Sequence, residues 1–270
     1  MNNTVDPGRL AVSAAEPAEK WTAERVLSIR YWTPALLSFR TTRYRGFRFT
    51  PGHYARLGLG DAGSLVWRPF SIVSAAYEEH LEFLAVLVPG GAFSAPLSQL
   101  RTGDAVLVEK PSYGFFTVDQ LAPGRDLWLL ASGTGLGPYL AILRDPAVWQ
   151  AFERLIVVHS VRHSSELAYG DEIAALPAAA LFADAPAKLV YLPVVTREPG
   201  ATALSARIPQ LINDGRLEQA AGRGLSVESS RLMVCGNPEM ARELRALLTA
   251  RGFRTSRRSV PGQLAFENYW

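Results

Sequence analysis

Three short stretches combine residue types at spacings that can do chemistry. Leu127-Trp-Leu-Leu-Ala-Ser-Gly-Thr-Gly-Leu-Gly-Pro-Tyr runs from an apolar segment into Gly133, Gly135 and Gly137, followed by Pro138. Glycines at a strand-to-helix turn let backbone amides approach a pyrophosphate, and the helix N-terminus favours its negative charge. The spacing differs from the dinucleotide fingerprint G-x-G-x-x-G and lacks the Lys of a P-loop. The same small residues would also serve a plain tight turn. Arg231-Leu-Met-Val-Cys-Gly-Asn-Pro-Glu-Met is a second apolar run, entering a helix through Cys235-Gly236-Asn237-Pro238. Two such turns belong at the C-terminal edge of one parallel sheet, where open α/β folds bind ligands. A cysteine at that strand tip, followed by glycine, is expected to face the crevice. Arg68-Pro-Phe-Ser-Ile-Val-Ser offers a phosphate clamp in Arg68, a ring for a flat ligand in Phe70 and a hydroxyl in Ser71. An ordinary barrel strand could carry the same residues.

These stretches need two kinds of scaffold. From Trp21 to about Pro111 the chain reads as short β-type runs: 25–30, 35–41, 46–50, 53–59, 69–74, 81–88 and 104–110. They are separated by Pro- and Gly-containing turns, with one short helix near 94–100. That rhythm predicts a small antiparallel barrel. After Leu121-Ala-Pro-Gly124 apolar runs at 127–131, 155–161, 188–195 and 231–235 alternate with helical periods at 138–144, 164–174, 208–213 and 238–251. This pattern predicts a parallel sheet wrapped by helices. The expected organisation is a mobile tail over 1–20, a β-barrel domain over 21–122 and an α/β domain over 123–270.

Composition narrows the function classes. The 270 residues are 48% hydrophobic and 20% charged with a net charge of +3, which excludes a disordered or fibrous chain and gives no nucleic-acid footprint. The basic residues divide into 25 Arg and 3 Lys, mostly a matter of genomic base composition. One cysteine cannot form an internal disulfide, no signal peptide is visible, and the longest apolar stretch is broken by glycines and Pro138. A cytoplasmic protein without a membrane span is expected. His159-x-x-x-His163 begins on a strand, so no metal site is expected. A G-x-S-x-G elbow and an iron–sulfur cysteine set are both missing from the sequence.

Six motifs in order make the chain similar to the ferredoxin–NADP(H) reductase family, in its bacterial branch. They are Arg68-x-Phe-Ser71, Gly91-Ala-Phe-Ser94, Gly133-Thr-Gly-Leu-Gly-Pro138, Val195-Thr-Arg-Glu198, Cys235-Gly-Asn-Pro-Glu-Met240 and Ala265-Phe-Glu-Asn-Tyr-Trp270. The resemblance covers about Trp21 to Trp270. It implies an FAD-binding barrel and an NADP(H)-binding α/β domain whose C-terminal segment covers the flavin. Arg68 resembles the arginine at the flavin pyrophosphate, beside Pro69. Phe70 stands where the family more often has Tyr against the flavin ring, and Ser71 matches the serine near flavin N5. Leu84, Ala85 and Val86, and Ala92, Phe93 and Ser94, match segments along the ring edge and phosphates, and Ser132 lies next to the flavin. Ala265 and Phe266 are expected near the ring system, with Tyr269 and Trp270 over the adenine. For NADP(H), the resemblance points to Gly133, Thr134, Gly135, Gly137 and Pro138 at the pyrophosphate. It puts Val161, Arg162, Thr196, Arg197 and Arg207 near the 2′-phosphate, and adds Cys235, Gly236, Asn237 and Met240 to the NADP(H)-binding residues.

The implied activity is reversible electron transfer between NADPH and ferredoxin or flavodoxin through FAD. Ser71, Cys235 and Glu267 are the catalytic candidates: a hydrogen bond to N5, placement of the nicotinamide and a proton relay. Acidic carriers call for a basic face, with Arg40, Arg43, Arg45, Arg48, Arg254, Arg257 and Arg258 as candidates. A monomer is expected. The alternatives are a flavin reductase or oxygenase reductase component, and, from another class, a non-catalytic nucleotide-binding regulatory protein.

Overall fold

The computed structural model describes residues 20–60 and 65–268. Residues 1–19 of the tail expected over 1–20, together with Tyr269 and Trp270, lie outside the described residues.

The N-terminal half contains β1 (Trp21–Tyr31), β2 (Leu36–Thr42), β3 (Tyr54–Leu59), β4 (Val66–Ser71), β5 (His80–Val86), α1 (Ser94–Gln99) and β6 (Ala105–Glu109). All pairings are antiparallel, in the order β4-β3-β6-β1-β2-β5. An antiparallel bridge between Ile72 and Phe83 brings the two edges together, so the sheet is a nearly closed barrel. Alternation decides the interior: Leu37 and Phe39, Ala55 and Leu57, Leu81, Phe83 and Ala85, and Val106 and Val108 fill one core at every second residue. Removing an aromatic such as Phe83 from it would cost about 3–5 kcal/mol. The run 46–50, expected as a strand, is not one. Phe47 is buried there, and the Arg43 and Arg48 guanidiniums donate to its carbonyl at 2.8 and 3.0 Å, so side chains satisfy backbone that a strand neighbour would otherwise bond.

The C-terminal half contains β7 (Asp126–Ser132), α2 (Gly137–Leu143), α3 (Pro146–Ala151), β8 (Arg154–Val161), α4 (Gly170–Ala175), β9 (Lys188–Val195), α5 (Ile208–Asn213), α6 (Arg216–Ala221), β10 (Ser230–Gly236), α7 (Pro238–Ala250) and β11 (Leu264–Asn268). The five strands are parallel in the order β11-β10-β7-β8-β9. Both faces are covered, which is why β7 reads as an unbroken apolar run. Leu127, Leu129 and Ala131 pack toward α2, α3 and α4, while Trp128 and Leu130 pack toward α5, α6 and α7. Strand β11 is unannounced in the sequence because its five residues, Leu-Ala-Phe-Glu-Asn, include two polar ones. It forms by adding to the edge of β10.

The chain leaves β7 toward β8 on one side and returns as β10 on the other. The sheet therefore has its topological switch point between β7 and β10, where ligands bind in open α/β folds. The halves share apolar packing: Leu36, Val73, Leu84 and Phe116 from the barrel side join Leu136, Tyr139 and Leu140 in one core. Between β6 and β7 the connection is held by the Arg231 guanidinium, which donates to the carbonyls of Ala122 (2.8 Å) and Pro123 and to that of Val227 (3.0 Å).

Candidate functional site

Two adjoining cavities lie where the halves meet. The smaller, about 310 Å³, is walled by β4, β5 and the start of α1. The larger, about 1050 Å³, opens along the C-terminal edge of the parallel sheet and faces the barrel segments around Leu36 and Pro89. Val86, Val88 and Thr134 line both, so the cavities are continuous.

The smaller cavity gathers Arg68, Pro69, Phe70, Ser71, Leu84, Ala85, Val86, Ala92, Phe93 and Ser94, residues that the resemblance assigns to FAD. The Phe70 ring is braced by Phe93 (centroids 5.1 Å apart) and, edge-on, by Phe83 (6.5 Å), which fixes a planar wall. Exposed Arg68 gives one of its donors to the Trp67 carbonyl at 2.8 Å. The Ser94 hydroxyl accepts from the Val88 amide at 2.9 Å and so closes the loop ahead of α1. Ser71 is the informative residue. Its hydroxyl is buried on the cavity wall and has no hydrogen-bond partner among the described residues. An unmet buried hydroxyl costs about 1–3 kcal/mol, and a ligand with a polar ring atom would remove that cost. A flat aromatic wall, an unmet hydroxyl and an arginine at the mouth fit a flavin and its pyrophosphate.

The larger cavity is floored by the two glycine turns. Gly133 takes a left-handed φ of +54°, and the chain turns through Gly133–Leu136 in a 3-10 turn before α2 begins. A Cβ at Gly135 would meet the Cys235 carbonyl carbon at 2.5 Å, and one at Gly236 would meet the Ser132 carbonyl oxygen at 2.5 Å. The two turns therefore pack backbone to backbone, and glycine at both positions is a condition of that contact. Ser132 ties them further: its hydroxyl accepts from the Asn237 amide at 2.8 Å, while the Asn237 side chain caps α7 by accepting from Glu239 and Met240. Beneath Gly133 lies fully buried His159, with Nε2 3.2 Å from the Gly133 carbonyl and Nδ1 3.4 Å from the Tyr191 hydroxyl. Burial pulls its pKa down to about 4, partly offset by the Gly133 carbonyl, so the ring is neutral at pH 7. A neutral ring meets both partners when Nε2–H donates to the Gly133 carbonyl and Nδ1 accepts from the Tyr191 hydroxyl.

At the outer end Arg162 follows β8, Arg197 follows β9, and Arg207 precedes α5; all three are exposed and line the cleft with Val161 and Thr196. Backbone bonds hold the first two loops together: Thr196 donates to the Val161 carbonyl at 3.0 Å and Arg197 to the Arg162 carbonyl at 2.9 Å. Arg207 also pairs with Glu243 at 2.9 Å.

Several expected roles change. The Cys235 side chain does not face the crevice: alternation along β10 turns it, like Met233, toward α2, where it is fully buried beside Tyr139. Phe266 does not reach the flavin cavity, because on β11 it points toward α7, with the Arg245 guanidinium 3.9 Å above its ring. Ala265 is buried in the shared core, and Ser132 lines the larger cavity instead of the smaller. Gly137 lines the smaller cavity, where a Cβ on it would lie 3.7 Å from the Ser71 Cβ, while Pro138 is buried at the first turn of α2. Glu267 lies level with Cys235 on the neighbouring strand, close enough to help raise the Tyr139 hydroxyl, which burial already pushes well up. Among the arginines expected at a docking face, half-buried Arg43 is spent on three backbone carbonyls, Arg40 pairs with Glu82, and exposed Arg48 gives one nitrogen to the Arg45 and Phe47 carbonyls.

The sequence reading missed the barrel wall of the larger cavity, Thr33, Leu36 and Pro89, which carries no motif. It also missed Glu166, whose carboxylate accepts from the Arg162 and His163 amides, both at 2.9 Å. In the structure Glu166 closes a capping box with His163, but the sequence signature of that motif starts with Ser, Thr, Asp or Asn, so His163-Ser-Ser-Glu166 does not announce it.

Residues 29–116 match the oxidoreductase FAD-binding domain, and residues 129–246 the oxidoreductase NAD-binding domain. The chain is 40% identical to a ferredoxin–NADP reductase of Pseudomonas aeruginosa over 248 residues, 90% of this chain and 95% of that one. It is 38% identical to a flavodoxin/ferredoxin–NADP reductase of Shigella flexneri, covering 93% and 99% of the two chains. Among solved structures it is similar to a ferredoxin NADP+ reductase from Neisseria gonorrhoeae with bound FAD and NADP, at a TM-score of 0.86 and 35% identity over 93% of this chain and all of that one. The barrel with its unmet serine, the paired glycine turns and the likeness over nearly the whole length place this chain in the ferredoxin–NADP reductase family.

Proposed function

We propose that the protein is an FAD enzyme that exchanges electrons between NADPH and a small acidic one-electron carrier, ferredoxin or flavodoxin. The observation that carries this reading is the junction of the two cavities at Ser71 and Thr134–Gly137, where a flavin ring against Phe70 and a nicotinamide entering over the glycine turns would meet. FAD, when bound, supplies the redox chemistry, accepting a hydride and releasing electrons singly. The chain supplies the rest. Arg68 holds the pyrophosphate, Phe70 and Leu84–Val86 bound the ring, and the Ser71 hydroxyl hydrogen-bonds at the reacting edge. Gly133 and Thr134 offer backbone to the second pyrophosphate, with Gly135 and Gly236 keeping the floor thin.

Arg162, Arg197 and Arg207 select the 2′-phosphate. A dianion suits converging guanidiniums, whereas an NAD enzyme places an acidic residue to accept from the ribose hydroxyl. The carboxylate nearby, Glu166, is already engaged by two amides. Cys235 acts from beneath the floor through its backbone, and Glu267 is the candidate proton relay. Arg45, Arg48, Arg254, Arg257 and Arg258 are exposed and remain the basic residues for carrier docking. The same reading makes the protein a cytoplasmic monomer; among the described residues no helix is long and apolar enough to cross a membrane.

The test is a flavin absorbance spectrum followed during anaerobic titration with NADPH and, separately, NADH. Bleaching by NADPH at far lower concentration than NADH is expected. Equal response to both cofactors would favour a flavin or oxygenase reductase, and a colourless protein after FAD addition would leave only a nucleotide-binding module.

A further inference from the structure

A buried polar cluster joins the two halves away from both cavities. Its hub is Glu82 on β5, whose side chain is only 5% exposed. One carboxylate oxygen accepts from the Tyr169 hydroxyl at 3.0 Å; the other lies 3.3 Å from Arg144 Nη1 and 3.4 Å from Arg40 Nη2. Tyr169 and Arg144 belong to the α/β half, Glu82 and Arg40 to the barrel. Arg144 reaches further: Nη1 donates to the Val73 carbonyl at 3.0 Å and Nη2 lies 3.4 Å from Glu172, which in turn pairs with Arg30 at 2.8 Å.

The placement of these partners gives the cluster its meaning. Arg144 is the C-cap of α2, the seven-residue, wholly buried helix that begins at Gly137 on the cavity junction. Val73 lies two residues beyond Ser71, and Glu82 two residues before Leu84 of the flavin wall. One guanidinium thus locks the far end of the helix that carries the phosphate turn to both barrel segments that border the flavin cavity. Tyr169 is held in the left-handed region at φ 61° and ψ 10°, a rare conformation for a bulky residue, with its ring 4.7 Å from that of Trp32. Backbone strain of this kind, about 1–3 kcal/mol, persists where the surroundings require it. A buried ion pair is seldom retained for stability, since apolar residues of equal volume do as well; fixing one geometry is its better-attested use.

We propose that Arg144, Glu82 and Tyr169 form a positioning clamp that sets the approach of the phosphate turn, and of the nicotinamide it holds, to the flavin-side Ser71. The inference rests on the functional reading above. The three side chains line neither cavity, so they act through α2 and β5 and not on the nucleotide itself. Lysine cannot replace Arg144, because a single ammonium cannot span Val73, Glu82 and Glu172 as a planar fork does.

The test uses the FAD-loaded protein and the variants Arg144→Lys and Tyr169→Phe. Spin labels at Ser98→Cys in the barrel half and Ala246→Cys on α7 are both at exposed positions, while native Cys235 is fully buried and inaccessible to the reagent. Arg144→Lys is expected to broaden the label distance distribution and to slow single-turnover hydride transfer from NADPH by about 10- to 100-fold, the consequence of a misplacement near 1 Å. The Kd for NADPH should stay within about twofold, because no phosphate contact is altered. Tyr169→Phe keeps the ring and removes only the hydroxyl; it should show the same pattern, smaller, and decides the matter if Arg144→Lys does not fold. A hydride rate within twofold of the parent, or a slowed rate with an unbroadened distribution, overturns the clamp. Parent protein that NADPH cannot reduce overturns the functional reading instead, and the label distances still judge the clamp.

Discussion

Replacing Gly135 by alanine puts a Cβ 2.5 Å from the carbonyl carbon of Cys235 and 2.8 Å from the amide nitrogen of Gly236. Both are backbone atoms at the tip of β10, so no side chain can swing aside. Ordinary carbon contacts lie near 3.5 Å, and the two turns must separate by about 1 Å. The φ of Gly135 is not left-handed, so the perturbation is steric alone. Overpacking of this kind costs about 1–3 kcal/mol, which for a chain of this size lowers Tm by roughly 2–10 °C. The kinetic effect should be larger than the thermal one. The separated floor is the surface on which the nicotinamide would rest, and a 1 Å error in such a place costs about 100-fold in rate. Rapid mixing of the FAD-loaded protein with NADPH under anaerobic conditions measures the flavin bleaching directly. Gly133→Ala is the contrast: its Cβ would meet nothing within 4 Å, so only the left-handed backbone is penalised, by about 1–2 kcal/mol. If Gly135→Ala bleaches at the parent rate and melts within 1 °C of it, the turns are not the floor of the site.

Ser71→Ala should slow hydride transfer by about 10- to 100-fold while the Kd for NADPH changes less than twofold; an unchanged single-turnover rate removes Ser71 from the reacting edge. Arg197→Ala and Arg207→Ala should each raise the KM for NADPH about tenfold or more and leave that for NADH nearly unaltered, as comparison of the two cofactors in steady-state assays will show. Stability should fall on acidification through His159. Its folded pKa, about 4, lies below the unfolded 6.5, so the unfolded chain binds the extra proton first. The loss begins near pH 6.5, reaches about 3 kcal/mol near pH 4, and should be missing from the pH–stability curve of His159→Gln in urea titrations, so that it appears in the difference between parent and variant. Carrier reduction should weaken as salt is raised, since exposed arginines attract an acidic partner only over a Debye length; a rate flat in ionic strength counts against docking through Arg45, Arg48 and the 254–258 segment.

Much of the site could be read from the chain because its chemistry depends on local sequence. Gly133–Pro138 and Cys235–Pro238 announce turns by residue type alone, and both occur at the adjacent tips of β7 and β10. Arg68–Ser71 lines its cavity because a strand displays its residues in a fixed order. Side-chain direction at the strand ends was less legible. Whether Cys235 faces cleft or core depends on the phase of alternation relative to α2, and the same holds for Phe266 against α7. Long-range partners were beyond reach. Glu82 and Tyr169 are 87 residues apart, and neither stands in a motif; in the sequence Glu82 is simply a charged residue inside an apolar strand. Strand β11 was hidden for a related reason, since it becomes a strand by pairing with β10 and not by its own periodicity.

The Arg231 guanidinium closes the connection between the halves from within the second one. Because its donors are occupied by the carbonyls of Ala122 and Pro123, the connector behaves as part of the sheet's lower rim instead of a tether. Exchange of modules between relatives is constrained accordingly. A nucleotide half transplanted onto a foreign barrel should carry the stretch from Leu121 onward together with Arg231, and a joint made later than Pro123 would separate an arginine from the carbonyls that neutralise its burial.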